Sequence, residues 1–213
     1  MRAVIFDFDG TIADSFNTVV AIAYYLTKNQ QLADVDRVGW MRDNNMGLAQ
    51  AIKNLNIPKW KWPWLLARGR RLMAQQIHQV PVFAGVEDVL KALRSEKFQM
   101  LIISSNSRSN VEKFLLEKGL LPYFDKVYGG AGLFSKAKII NKLLKLEQLK
   151  PDEVIYVGDE VRDVMAAKQA GIPCIAVSWG YNSHDLLATS GPTFVVDSPA
   201  QLQKEVIEWG KSF

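Results

Sequence analysis

The chain has 213 residues, 48% hydrophobic and 23% charged, an ordinary globular composition that excludes a disordered or fibrous protein. Its formal charge of +4 suits an anionic ligand but is too small an excess to argue for nucleic-acid binding. The longest apolar runs, such as Val4-Ile5-Phe6 and Met100-Leu101-Ile102-Ile103, fall far short of the about 18 residues a membrane span needs, so none is expected.

Met1-Arg2 passes directly into Ala3-Val4-Ile5-Phe6-Asp7, too short and too soon acidic for a signal peptide, so a cytoplasmic location is expected. Residues 3–6 read as a first strand, and the chain leaves it through Asp7-Phe8-Asp9-Gly10-Thr11. Two carboxylates two residues apart after a strand can be aimed at one ligand. An ionised Asp7 can attack phosphorus and form an aspartyl-phosphate. Asp9 can protonate the leaving alcohol and then deprotonate water. Gly10 permits a tight path that turns the amides of this loop, including Phe8, toward phosphate oxygens, and the Thr11 hydroxyl can orient the acids. A plain turn rich in Asp and Gly is the alternative reading of this motif alone.

The next strand-like run begins only near residue 100, far beyond what one crossover helix requires. Residues 15–81 are therefore expected to be an inserted helical cap, with helices over residues 17–28, 47–55 and 64–78, and residues 1–14 and 82–213 the core. Asn56-Ile57-Pro58 and Trp62-Pro63 break the helices, Val80-Pro81-Val82-Phe83-Ala84-Gly85 marks the return, and hinges are expected at residues 13–15 and 80–84. In the cap, Arg42 of the polar run Arg42-Asp43-Asn44-Asn45 can clamp an anionic substrate tail, or simply face solvent. Trp60, Trp62 and Trp64 with Arg68, Arg70 and Arg71 invite a nucleotide-stacking reading. Packing between cap helices is the simpler account of the tryptophans.

After a helix over residues 86–96, the strand 100–104 ends in Ser104-Ser105-Asn106-Ser107. Ser105, with Asn106 beside it, can donate to a transferring phosphoryl group; a helix cap is the alternative. A short strand at 126–128 precedes Phe134-Ser135-Lys136-Ala137-Lys138, where either lysine can neutralise the charge shared by nucleophile and phosphate ahead of a helix over 139–146. The strand 154–157 runs into Gly158-Asp159-Glu160-Val161-Arg162-Asp163. Asp159 is the expected direct metal ligand, and Asp163 or Glu160 holds a metal-bound water or braces the loop, with Asp163 also placed to cap a helix over 164–170. Residues 174–177 form a last strand, in which the single cysteine, Cys174, reads as core. His78 and His184 are isolated. Strands alternating with helices predict an α/β fold built on a doubly wound parallel sheet, which binds ligands beyond the carboxyl ends of its strands.

With Asp7-Phe8-Asp9-Gly10-Thr11, Ser105-Asn106, Lys136 and Gly158-Asp159-Glu160-Val161-Arg162-Asp163 in this order, the sequence resembles the haloacid-dehalogenase-like hydrolase superfamily, in its phosphoglycolate-phosphatase-like branch with a helical cap after the first strand. The resemblance implies a Rossmann-like core and a phosphatase working through an aspartyl-phosphate. It implies Mg²⁺ held by the Asp7 carboxylate, the Asp9 backbone carbonyl and Asp159, with Ser105 and Lys136 holding the phosphoryl group. It favours Lys136 over Lys138, because the family's lysine follows an aromatic-small pair. Retention of Asp9 argues against carbon–halogen cleavage. The expected partner is a small phosphorylated metabolite, and the chain is expected to be a monomer or homodimer. A phosphomutase is the nearest rival; a phospho-accepting switch and a silent binding protein are more distant ones.

Overall fold

The computed structural model describes residues 2–27, 58–130 and 136–211. Six parallel strands, β1 (Ala3–Phe6), β2 (Gln99–Ile103), β3 (Lys126–Tyr128), β4 (Val154–Gly158), β5 (Cys174–Val177) and β6 (Phe194–Val196), form one sheet in the order β3-β2-β1-β4-β5-β6. Beyond the five expected strands, β6 closes the edge.

Side chains alternate across each strand. Val4, Phe6, Met100, Ile102, Ile155 and Val157 therefore face one way, under the helices Val86–Ser95, Arg108–Glu117 and Pro199–Lys211. Ala3, Ile5, Leu101, Ile103, Val154 and Tyr156 face the other, under Lys136–Leu146, Val161–Ala170 and His184–Thr189. Burial on both sides explains why the central strands read as unbroken apolar runs rather than alternating ones. Cys174 is buried within this second layer, as expected.

From β1 the chain winds outward to β2 and β3, then returns to β4 beside β1 and winds outward the other way. That reversal puts a crevice between the carboxyl ends of β1 and β4, where open α/β sheets take their ligands.

Of the expected cap, helices Phe16–Thr27 and Trp62–Gln76 are described, and they pack closely where a Cβ on Gly69 would stand 3.6 Å from Leu26. The second starts at Trp62 rather than residue 64, because Pro63 suits the first turn of a helix, where no amide donor is missed. The helix expected at 47–55 and Arg42 lie outside the described residues. Among the described residues, Trp60 and Trp64 do not join helices together: they are 77% and 57% exposed, with Lys61 and Arg68 over their rings at 5.2 and 5.5 Å. The two linkers to this region run side by side, Asp14 N donating to Pro81 O at 2.9 Å and Phe83 N to Ile12 O at 3.1 Å, with Ala13 and Val82 paired antiparallel.

Candidate active site

The end of β1 delivers Asp7 into the crevice, and the neighbouring strand ends bring the other candidates to it. Asp7 is buried. Its Oδ1 accepts the Phe8 amide at 2.8 Å and its Oδ2 accepts Lys136 Nζ at 2.6 Å. The same ammonium donates to Asp163 Oδ1. Lys136 is the first residue of its helix and buried, whereas Lys138, two positions on, is exposed. The inward face of this helix takes Lys136 and Ile140.

Asp159, just past β4, is fully enclosed. Thr11 Oγ1 donates to its Oδ1 at 2.8 Å and the Tyr181 amide to its Oδ2 at 2.8 Å. Backbone presses close on both sides: a Cβ at Gly10, whose φ is +82°, would lie 2.1 Å from Asp159 Oδ2, and one at Gly180 would lie 2.2 Å from Asp159 Cβ. Only glycine fits at either position. Gly158 ends β4 immediately before Asp159.

Asp163 sits in the first turn of the helix Val161–Ala170, where its Oδ2 accepts the Glu160 amide at 3.1 Å. That contact is one half of a capping box at the start of the helix. Glu160 is buried and paired with Arg162 Nη2 at 2.5 Å. Among the described residues the buried Nε and Nη1 of Arg162 have no hydrogen-bond partner.

Beside β1, the loop after β2 carries Ser105, half-buried, and Asn106, buried. The Asn106 amide donates to Ser104 Oγ at 3.0 Å, and its side-chain oxygen accepts from Ser107 N and Asn110 Nδ2 at 2.9 and 3.0 Å. Arg70 of the helix Trp62–Gln76 reaches this loop, donating to Ser105 O at 3.2 Å.

Asp9, half-buried, turns its Oδ1 to Ser15 Oγ at 2.8 Å, and Ser15 Oγ in turn meets Tyr181 Oη at 2.8 Å.

Burial dominates the electrostatics. It raises the Asp7 carboxyl to about 7 against the pull of Lys136, with Asp163 adding to the rise. It raises Asp159 well above the ordinary range, helped by the charges of Glu160 and Asp7. Asp9 is raised by burial and partly restored by the Ser15 hydrogen bond; Glu160 is raised by burial and partly restored by Arg162. Burial works against the charge of Lys136, but Asp163 and Asp7 outweigh it and hold the ammonium charged.

The carboxylates of Asp7, Asp159 and Asp163 each offer an oxygen within 4.8 Å of the others. Hard oxygen donors enclosed together in this way suit a divalent cation. Asp163 thus joins the expected Asp7 and Asp159 as a third carboxylate at this point. Reading the sequence did not find Ser15, Gly180, Tyr181 or Asn182 as part of this site. The last accepts the Val161 amide on its Oδ1 at 2.9 Å and gives its own amide to Asp159 O at 3.3 Å. A glycine-containing polar stretch following β5 was the available signal.

A model of the haloacid dehalogenase-like hydrolase family matches residues 4–177. The chain is 36% identical over 208 residues to the phosphoglycolate phosphatase of Synechococcus elongatus, covering 98% of both chains. It is 30% identical over 222 residues to that of Vibrio parahaemolyticus, covering 97% of this chain and 96% of the other. Among solved structures, a "predicted phosphatase" from Clostridium acetobutylicum superposes with a TM-score of 0.84 at 24% identity, over 97% of this chain and 98% of that one. A haloacid dehalogenase-like hydrolase from Streptococcus pneumoniae gives 0.78 at 23%, over 96% and 98%.

Proposed function

The chain belongs to the haloacid dehalogenase-like hydrolases and is a phosphatase of that family, and we propose that it hydrolyses a short carboxylated phosphomonoester, phosphoglycolate or a close analogue, using Mg²⁺ and an aspartyl-phosphate on Asp7. The substrate reading rests on the names of its relatives. The mechanistic one is carried by a single observation: Asp7 is enclosed, paired with Lys136, and one of three carboxylates gathered at the crevice.

Asp7 acts as nucleophile once ionised, and Lys136 holds it in line while neutralising charge it would share with the phosphoryl group. Ser105, Asn106 and the amides of Phe8 and Asp9 would surround the phosphoryl oxygens, while Gly10, whose amide donates to Ala13 O at 2.9 Å, shapes the turn. Asp9 gives a proton to the departing alcohol and takes one from the hydrolytic water. Asp7 and Asp159 would hold the metal with the Asp9 carbonyl or Asp163, and Thr11, Glu160 and Asp163 would keep these groups in place. Bound there, Mg²⁺ would offset the crowded negative charge and polarise the phosphoryl group.

Residues 15–81 serve as the cap, a reading supported by its two described helices packing on each other and by the pairing of its linkers at Ala13 and Val82. Arg42 within it would meet the substrate carboxylate. The buried free thiol of Cys174 accords with work in the cytoplasm.

Incubation with a panel of phosphomonoesters and Mg²⁺ should release inorganic phosphate, most efficiently from phosphoglycolate, and Asp7→Asn should abolish it. Equal turnover by the Asp7→Asn variant would refute the mechanism. Conversion of a sugar phosphate to its isomer, without phosphate release, would make the chain a mutase instead.

A further inference from the structure

Ser15 has one hydroxyl proton and two oxygen neighbours. Asp9 Oδ1 and Tyr181 Oη each lie 2.8 Å from its Oγ. When Asp9 is a carboxylate it can only accept, so Ser15 donates to it and Tyr181 must donate to Ser15. The three groups form a one-way chain, Tyr181 to Ser15 to Asp9. Its far end is closed to water, since Ser15 is fully buried and Tyr181 is 5% exposed, its ring edge-on to Phe16 with centroids 5.6 Å apart.

Tyr181 is also anchored at its other end. Its amide donates to Asp159 Oδ2 at 2.8 Å, the flanking Gly180 lies against the Asp159 side chain, and Asn182 N bonds Asp159 O. One residue thus touches both halves of the site, the metal-side carboxylate through its backbone and the acid-base carboxylate through its hydroxyl and Ser15.

We propose that Tyr181 is a positioning residue for proton transfer: by committing the Ser15 proton to Asp9 Oδ1, it reserves Asp9 Oδ2 as the oxygen that carries the catalytic proton. The inference rests on the aspartyl-phosphate reading above and deepens it. In the first half-reaction the bond from phosphorus to the ester oxygen breaks as a bond to an Asp7 oxygen forms, and the ester oxygen leaves with the proton from Asp9 Oδ2. In the second, water attacks phosphorus, returns a proton to Oδ2, and Asp7 is freed as orthophosphate departs. Throughout, Oδ1 keeps its bond to Ser15, so the carboxyl plane does not turn between the two steps. Without the Tyr181 hydroxyl, the Ser15 hydroxyl is free to rotate and Asp9 loses a fixed orientation.

A loss of acid positioning scales with how much the leaving group needs the proton. Nitrophenolate departs readily without one, whereas an alkoxide does not. Steady-state kinetics of the full-length protein with Mg²⁺ should therefore be compared on p-nitrophenyl phosphate and ethyl phosphate for Tyr181→Phe, Ser15→Ala and the double variant. We expect Tyr181→Phe to lower kcat on ethyl phosphate by about tenfold, a part of the roughly 10²–10⁴ that general acid–base catalysis contributes. Its loss on the nitrophenyl ester should be several times smaller, and KM should move less than kcat. The double variant should lose no more than Ser15→Ala, since Tyr181 acts through Ser15. Equal losses on the two esters, or losses that multiply in the double variant, would overturn the proposal. Turnover by Asp7→Asn would instead overturn the underlying mechanism, and that measurement is independent of the ratio between esters.

Discussion

Lys136 Nζ stands 2.6 Å from Asp7 Oδ2, and the same buried ammonium also bonds Asp163, so one cation ties the end of β1 to the helix that follows β4. Lys136→Met should lower kcat on every phosphomonoester by about 10²–10³, the usual cost of removing one preorganised electrostatic partner. Lys138→Met, at an exposed position, should stay within about twofold by the same scale. Steady-state assays of both variants check this, and a large loss from Lys138→Met would reverse the assignment.

Stability in the absence of metal should fall as pH rises. Burial raises the Asp7 carboxyl from 3.8 to about 7, so between those values the folded protein holds a proton that the unfolded chain has released. The associated stability is fully present below the unfolded value and is lost as the pH climbs through about 7. Asp9, Asp159 and Glu160 shift in the same direction. Urea midpoints measured in EDTA should decline from pH 5 to pH 8, and saturating Mg²⁺ should flatten or reverse the decline. A midpoint that rises with pH in EDTA would contradict it.

Removing the Asp7 charge should separate activity from stability. Asp7→Asn eliminates a carboxylate whose ionised form is disfavoured by its surroundings, and should raise the metal-free thermal midpoint at pH 8 while turnover disappears. Calorimetry of the two proteins side by side, in EDTA, reads the effect.

The hydroxyl of Thr11 bonds Asp159 Oδ1 at 2.8 Å, so Thr11→Val leaves the shape and removes an orienting bond from a carboxylate proposed to hold the metal. The Mg²⁺ concentration for half-maximal activity should rise by about tenfold, as is common when such supporting partners are lost. Titration of activity with Mg²⁺ tests it; an unchanged midpoint would assign the hydroxyl to loop stability alone.

Phe8 follows Asp7 directly, and its side chain packs into the core. Its ring is fully buried, edge-on to Phe114 with centroids 5.0 Å apart. Phe8→Ala should cost about 3–5 kcal/mol of stability, measured by chemical denaturation.

The parts of this architecture visible in the sequence are those written in contiguous residues. β1 and Asp7-Phe8-Asp9-Gly10-Thr11 are adjacent, so an apolar run ending in acids predicts both the strand and the direction of its side chains. The same holds for β4 and Asp159. What escaped depends on the chain coming back. Tyr181 reaches Asp159 only because β5 lies beside β4, and no spacing within Ser178-Trp179-Gly180-Tyr181 announces that contact. β6 has three residues between Thr193 and Asp197, and as an edge strand it carries too little apolar pattern to be recognised. Trp60 and Trp64 misled for the opposite reason: aromatic residues argue for burial on average, yet here basic neighbours cover their faces at the surface.

The hydrogen bonds joining Asp14 to Pro81 and Phe83 to Ile12 mean that the polypeptide departs from the sheet and comes back through one narrow doorway. The segment between those points is also fastened farther along, by Met73 and Ile77, which join the core cluster, and by Arg70 at Ser105 O. A change in that segment that spares the doorway and these fastenings leaves every strand where it stands.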